Sequence, residues 1–293
     1  MTTTSVDDDG GYSGASVDPP PAVSPPAQWP RPPRRRVMTV ANQKGGVGKT
    51  TSTVNLAVAL AQHGIRVLVV DLDPQGNAST AFNLPHTAGT PSIYDVLIGD
   101  QTLADVSLAV PGVPHLWCAP ATIDLAGAEI ELVSVVARES RLRRALDSVG
   151  DVDYVLIDCP PSLGLLTLNA MVAANEVLIP IQCEFYALEG LSQLLSNVDL
   201  VKNHLNSELF VSTILLTMYD ARTRLADQVA AEVRAHFGSL VLSSVIPRSV
   251  RVSEAPGFGQ TVVTFDPTSR GAVAYTAAAY DLAVRGEAGT PQA

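Results

Sequence analysis

The residues of this chain best equipped for chemistry lie in three short runs. The first is Gln43-Lys44-Gly45-Gly46-Val47-Gly48-Lys49-Thr50-Thr51. Its glycines let backbone N–H groups turn inward onto phosphate oxygens, and a helix opening at its end adds positive potential. Lys49 can then reach β- and γ-phosphates, and the Thr50 hydroxyl can ligate Mg2+. The second run is Asp71-Leu72-Asp73-Pro74-Gln75-Gly76-Asn77. Carboxylates at i and i+2 of a strand end project to one side. Asp73, beside a turn fixed by Pro74 and Gly76, is the better candidate to orient or activate an attacking water. The third is Tyr154-Val155-Leu156-Ile157-Asp158, an aspartate closing four apolar residues. Its carboxylate suits Mg2+ held through water, because that ion keeps part of its hydration shell. Such an ATP and Mg2+ site works by positioning and charge neutralisation, and no glutamate base accompanies it, so slow hydrolysis is expected.

These runs need elements to position them. Val37–Ala41 reads as a strand entering the glycine-rich run, and Lys49–His63 as the helix leaving it, closed by Gly64 at C′. Arg66–Val70 and Tyr154–Ile157 read as the strands that end at Asp71 and Asp158. Further strands are expected at Glu176–Ile181, Leu209–Thr217 and Leu240–Ile246. Helices are expected near Gly127–Val149, Ser162–Ala173, Leu188–His204, Leu225–Phe237 and Ala272–Val284. The strands are near-continuous Val/Ile/Leu runs, the pattern of strands buried on both faces. Their alternation with helices predicts an α/β fold: a doubly wound, mostly parallel sheet flanked by helices, of P-loop NTPase type. Ligands of such sheets bind beyond the carboxyl ends of the strands, where the three runs fall.

The glycine-rich run departs from the common G-x-x-x-x-G-K-[ST] pattern: Gln43 replaces the first glycine and a second lysine, Lys44, follows it. This form resembles the deviant Walker A motif of the ParA/MinD/nitrogenase-iron-protein superfamily. The second run is similar to the D-x-D-P-Q-[GA]-N signature of ParA/Soj proteins, and Asp158-Cys159-Pro160-Pro161-Ser162 to their D-x-P-P-[SG] form. Leu215–Arg224 and Ile246–Pro256 also resemble stretches of chromosomal ParA/Soj proteins, so the likeness runs from about Val37 to Val284. It implies an ATP-bound homodimer in which Lys44 touches the nucleotide of the other subunit. It implies that Pro247 and Ser249 neighbour the adenine, and that Arg222 and Arg251 contact DNA phosphates. Arg224, Arg248 and Lys202 would extend that patch. It further implies nonspecific DNA binding, a ParB-like partner that stimulates hydrolysis, and a cytoplasmic, nucleoid-associated protein serving chromosome or plasmid segregation.

Composition sets limits on these implications. Of the 293 residues, 46% are apolar and 16% charged, which suits a globular chain, and no apolar run approaches a membrane span. Residues 1–36, rich in Pro, Thr and Asp, read as a disordered tail without a signal peptide. Residues 37–285 form the expected ATPase domain, and 286–293 a short polar tail. Arg34-Arg35-Arg36 reads as a solvated linker end, with a phosphate- or partner-binding patch as the alternative. Cys118, Cys159 and Cys183 read as small buried hydrophobes. The net charge of −10 opposes long-range attraction to DNA and fits binding only when two patches add in a dimer. Three other readings stay open: a MinD-like membrane-cycling ATPase, which needs a basic amphipathic C-terminal helix; a P-loop metabolic enzyme, either an iron protein or an amide-forming ligase; and a nucleotide-dependent scaffold with negligible hydrolysis.

Overall fold

The computed structural model describes residues 29–99, 101–184 and 187–287, without the side chains of 187–189. Of the tails expected at 1–36 and 286–293, residues 1–28 and 288–293 lie outside these residues. The first strand, β1 (Arg36–Val40), is buried along its whole length. It opens into the glycine-rich loop and α1 (Lys49–Gln62), whose N-cap Gly48 has φ +88°, a left-handed conformation that side chains resist. Gly64 closes α1 as expected, with φ +83° and the Ile65 N–H bonded back to the Leu60 carbonyl. β2 (Val67–Asp71) and α2 (Asn77–Ala81) follow.

The next stretch was not anticipated from the sequence. It contains α3 (Ile93–Leu97), α4 (Leu103–Val106), β3 (Leu108–Ala109) and β4 (Leu116–Ala119). The two helices are short, and each starts with a capping box, Ser92 with Asp95 and Thr102 with Asp105. The single helix expected over Gly127–Val149 is broken. α5 (Leu125–Glu131) and α6 (Arg141–Asp147) are separated by 3-10 turns at Leu132–Ser134 and Arg138–Ser140. Ala137 lies between these turns at φ +52°, and the β-branched Val133, Val135 and Val136 beside it resist helix.

The rest follows the expected rhythm: β5 (Tyr154–Asp158), α7 (Leu165–Ala173), β6 (Glu176–Gln182), α8 (Ala187–His204), β7 (Phe210–Tyr219), α9 (Arg224–Phe237) and β8 (Val241–Pro247). Two short unanticipated helices, α10 (Val250–Glu254) and α11 (Val262–Phe265), precede α12 (Arg270–Glu287). The eight strands form one sheet in the order β3-β4-β2-β5-β1-β6-β7-β8, parallel except for β3. Alternate residues of β1 feed two cores. Val37 packs on one face with residues of α3, α5, α7 and α8, while Met38 and Val40 pack on the other with residues of α1 and α12.

The expected domain boundary at residue 36 moves towards the N-terminus. Trp29 is buried, stacks on His63 at 3.8 Å between ring centroids and meets Tyr280 edge-on. Arg31 donates to the Gly64 carbonyl at 2.6 Å. Arg36, expected within the tail, is a buried member of β1 and grips Glu176 with both Nε (2.7 Å) and Nη2 (2.5 Å). Low apolar content hid this strap, because one tryptophan and a few hydrogen bonds suffice to seat it. The expected C-terminal boundary also shifts, since α12 continues to Glu287.

Candidate nucleotide site

β1 occupies the interior of the sheet between β5 and β6, so the loop leaving it lies over the switch point of the topology. The Asn42 side chain organises the start of the loop. Its Nδ2 donates to the Pro180 carbonyl at 2.8 Å, and its Oδ1 accepts from the Lys44 N–H at 3.0 Å. Thr217, at the end of β7, donates its hydroxyl to the Val47 carbonyl at 2.8 Å. The sequence reading did not identify either buttress. Each stands where an apolar strand ends, which was the available signal.

A cleft of about 540 Å³ opens beside the loop. Gly45, Gly46, Gly48, Lys49, Thr50 and Thr51 line it, together with Asp73 from the second run. Gln75, Asn77, Pro161, Met218 and Pro256 complete much of the rest. Met218 has φ +50°, unusual for this residue type, and such outliers concentrate at ligand sites. Pro247 and Ser249, expected beside the adenine, are not in the lining, whereas Met218 and Pro256 are. Pro247 instead closes β8 against Tyr219, and Ser249 stands at the N-cap position of α10 without a side-chain capping bond.

The three carboxylates meet as the strand register dictates. Asp71 and Asp158 are paired neighbours on β2 and β5, and both are fully buried. Asp71 accepts from the Ser79 N–H at 2.9 Å, the Ser79 hydroxyl at 2.8 Å and the Asp73 N–H at 3.3 Å, so it shapes the turn. Asp73 faces the cleft, with one oxygen taken by the Gln75 N–H at 3.0 Å. Burial raises the Asp158 carboxyl above its ordinary range, and the Asp71 charge adds to this. Hydrogen bonds from Thr50 and Thr53 pull the other way. Lys49 is buried, donates to the Lys44 carbonyl at 3.3 Å, and has its pKa lowered by that burial against the pull of Asp158.

These residues fit a magnesium nucleotide. Asp158 Oδ2 is buried without a hydrogen-bond partner, a costly arrangement for a carboxylate. Coordinated water would supply its missing donor, and the divalent charge would offset three clustered acids. Thr50 stands beside the same carboxylate. Lys44 lies outside the lining, half exposed, with Nζ 3.2 Å from Glu184. Glu184 also receives Gln182 and lies 3.6 Å from Arg248.

Arg222 sits on the loop that leaves the carboxyl end of β7, and Arg251 on α10, the short helix that follows the neighbouring strand β8. Both are held by their own chain's acids. Arg222 pairs with Asp220 at 2.7 Å, which draws the Asp220 carboxyl down to about 2. Arg251 pairs with Glu254 at 3.2 Å and Asp266 at 3.4 Å. Arg224 begins α9, and Lys202 lies in the last turn of α8. The three cysteines are buried and unbridged, and burial pushes the Cys159 thiol up to about 12. Among the described residues, no group of three or more His, Cys, Asp or Glu side chains is placed to hold a metal, and no helix is long and apolar enough to cross a membrane.

Fold and cleft together place the chain among the P-loop nucleoside triphosphatases, in the branch whose loop carries two lysines. Comparison with known proteins narrows this class. A family model described as an AAA domain matches residues 35–211. The sporulation initiation inhibitor protein Soj of Bacillus subtilis is 52% identical over 86% of this chain and 99% of its own length. The chromosome partitioning protein ParA of Caulobacter vibrioides is 50% identical over 85% of this chain and 94% of its own. Among solved structures, one described as cobyrinic acid a,c-diamide synthase from Mycobacterium smegmatis with bound ADP and magnesium superposes with a TM-score of 0.74 at 39% identity. It covers 86% of this chain and 95% of that one. The chain belongs to the ParA/Soj family of chromosome-partitioning ATPases.

Proposed function

We propose that the chain is an ATP-dependent DNA-segregation switch, in which ATP and Mg2+ occupy the cleft and join two copies face to face. Lys49 and the glycine amides hold the phosphates, Thr50 and water held by Asp158 bind Mg2+, and Asp73 positions the attacking water. Lys44 leaves Glu184 and reaches the partner's nucleotide, so that triphosphate charge offsets the repulsion between two cationic loops. The dimer grips duplex phosphates through Arg222 and Arg251, without sequence readout and with steep salt dependence. A ParB-like protein stimulates the slow hydrolysis that releases it, on the nucleoid within the cytoplasm.

The observation that carries this reading is the two-lysine loop, set beside Asp73 in the lining of one cleft, in a chain about half identical to the partition protein ParA and to Soj over some 85% of its length. The ion pairs on Arg222 and Arg251 fit weak binding by one copy, since each arginine must trade an internal carboxylate for a phosphate. Membrane cycling is disfavoured by α12, whose apolar stripe is spent in the core: Tyr275, Ala279 and Leu282 are buried. An amide-forming reaction has support in the name of one structural neighbour, but the partition proteins are more similar over the same length. DNA co-sedimentation with ATP, with ADP and without nucleotide tests the proposal. Strong retention with ATP only, sharply reduced in R222A/R251A, is expected; equal sedimentation in all three conditions would refute it.

A further inference from the structure

The run Arg34-Arg35-Arg36 is divided by the fold. Arg36 turns inward to Glu176, while Arg35 turns along the surface and lines a cavity of about 290 Å³. This cavity lies at the opposite end of the sheet from the nucleotide, because Arg35 immediately precedes β1 and Asn175 immediately precedes β6. Arg143, exposed on α6, shares the lining. Arg35 spends one bond on the Val149 carbonyl at 3.1 Å, and Arg34 beside it is exposed. None of Arg34, Arg35 and Arg143 forms an ion pair among the described residues, in a chain with ten more acids than bases. Arg222 and Arg251, by contrast, are both neutralised.

Two features make the cavity hospitable to an anion. The carbonyls at the end of α7, which would repel negative charge, are capped: Asn206 Nδ2 donates to Met171 at 2.9 Å, Val172 at 3.2 Å and Ala174 at 2.6 Å. The lining also holds two arginines, Arg35 and Arg143, against one acid. Asp147 shares the lining, and Glu208 is occupied with Asn175 at 3.3 Å. Planar guanidinium groups with free N–H bonds are matched to phosphate oxygens.

We infer that Arg34, Arg35 and Arg143 form a second phosphate-binding surface for duplex DNA, so that one molecule holds two duplexes at opposite ends. This rests on the proposed DNA-binding function but uses different residues. In a face-to-face dimer these surfaces point outward, and a dimer can bridge DNA segments that its central patch does not touch.

The test uses the full chain with ATP and Mg2+, one duplex fixed to beads and a second, labelled duplex free in solution. The wild type should capture the labelled duplex. R35A/R143A should reduce capture about tenfold and lower the slope of log affinity against log salt by about 1.8, as expected for two lost phosphate contacts. R35K/R143K should retain most of the capture, and ATP turnover should be unchanged in both variants. Equal bridging by wild type and R35A/R143A overturns the inference while leaving the DNA-binding function standing. If the wild type binds no duplex with any nucleotide, both fall. Anionic vesicles retained through Arg35 and Arg143, with bridging unaffected, would assign the surface to membranes and also overturn it.

Discussion

Three aspartates brought near one loop by the strand register carry different duties because their surroundings differ. Asp71 is saturated by Ser79 and the Asp73 amide and has no reach into the cleft. Asp158 is buried with one oxygen unpartnered, and Asp73 lines the cleft. Asp73→Ala should bind ATP within a few-fold of wild type, stay dimeric on DNA and lose about 10²-fold or more in turnover. Wild-type turnover in that variant would remove Asp73 from the mechanism. Lys49→Ala should weaken ATP binding by roughly 10–100-fold, the value of a charge-assisted contact, as read by titration with a fluorescent ATP analogue. Chelation of Mg2+ should abolish turnover in the wild type, and its return should restore it.

At the scale of elements, the sheet is tied together where polar groups are buried. Arg36 joins β1 to Glu176 on β6 and donates to the Leu282 carbonyl of α12 at 2.8 Å. Removing one member of a buried pair strands the other, so Glu176→Ala should cost about 3–5 kcal/mol in denaturant unfolding. Trp29→Ala should cost less, about 2 kcal/mol, because the strap can detach without opening the core. A loss in Trp29→Ala as large as that in Glu176→Ala would mean that the strap is integral to the sheet.

For the molecule as a whole, net charge and assembly are linked. A chain of charge −10 is repelled by DNA at long range, so attraction must be local and must be multiplied by joining copies. Light scattering should give twice the monomer mass with a slowly hydrolysed ATP analogue and Mg2+, and the monomer mass with ADP. Lys44→Ala should remain a monomer with both nucleotides. One mass in every condition, across a wide concentration range, would remove the dimer from the cycle.

By itself the sequence determined the doubly wound sheet, the phosphate loop and the acidic strand ends. These are local matters: glycine conformational freedom, strand periodicity and a carboxylate closing an apolar run are written in neighbouring residues. It left the stretch from α3 to β4 unread, because elements of two to five residues carry too little periodicity. It also set the start of the domain too late. Only the tertiary structure decided that Thr217 and Asn42 brace the loop, that Glu184 holds Lys44, and that Met218 and Pro256 line the cleft where Pro247 and Ser249 were expected. Only the fold, too, divided three consecutive arginines into a buried structural cation, Arg36, a partly buried cavity residue, Arg35, and an exposed one, Arg34. Each of these facts depends on residues dozens to hundreds of positions apart meeting in space, and that proximity is set by the packing of the sheet.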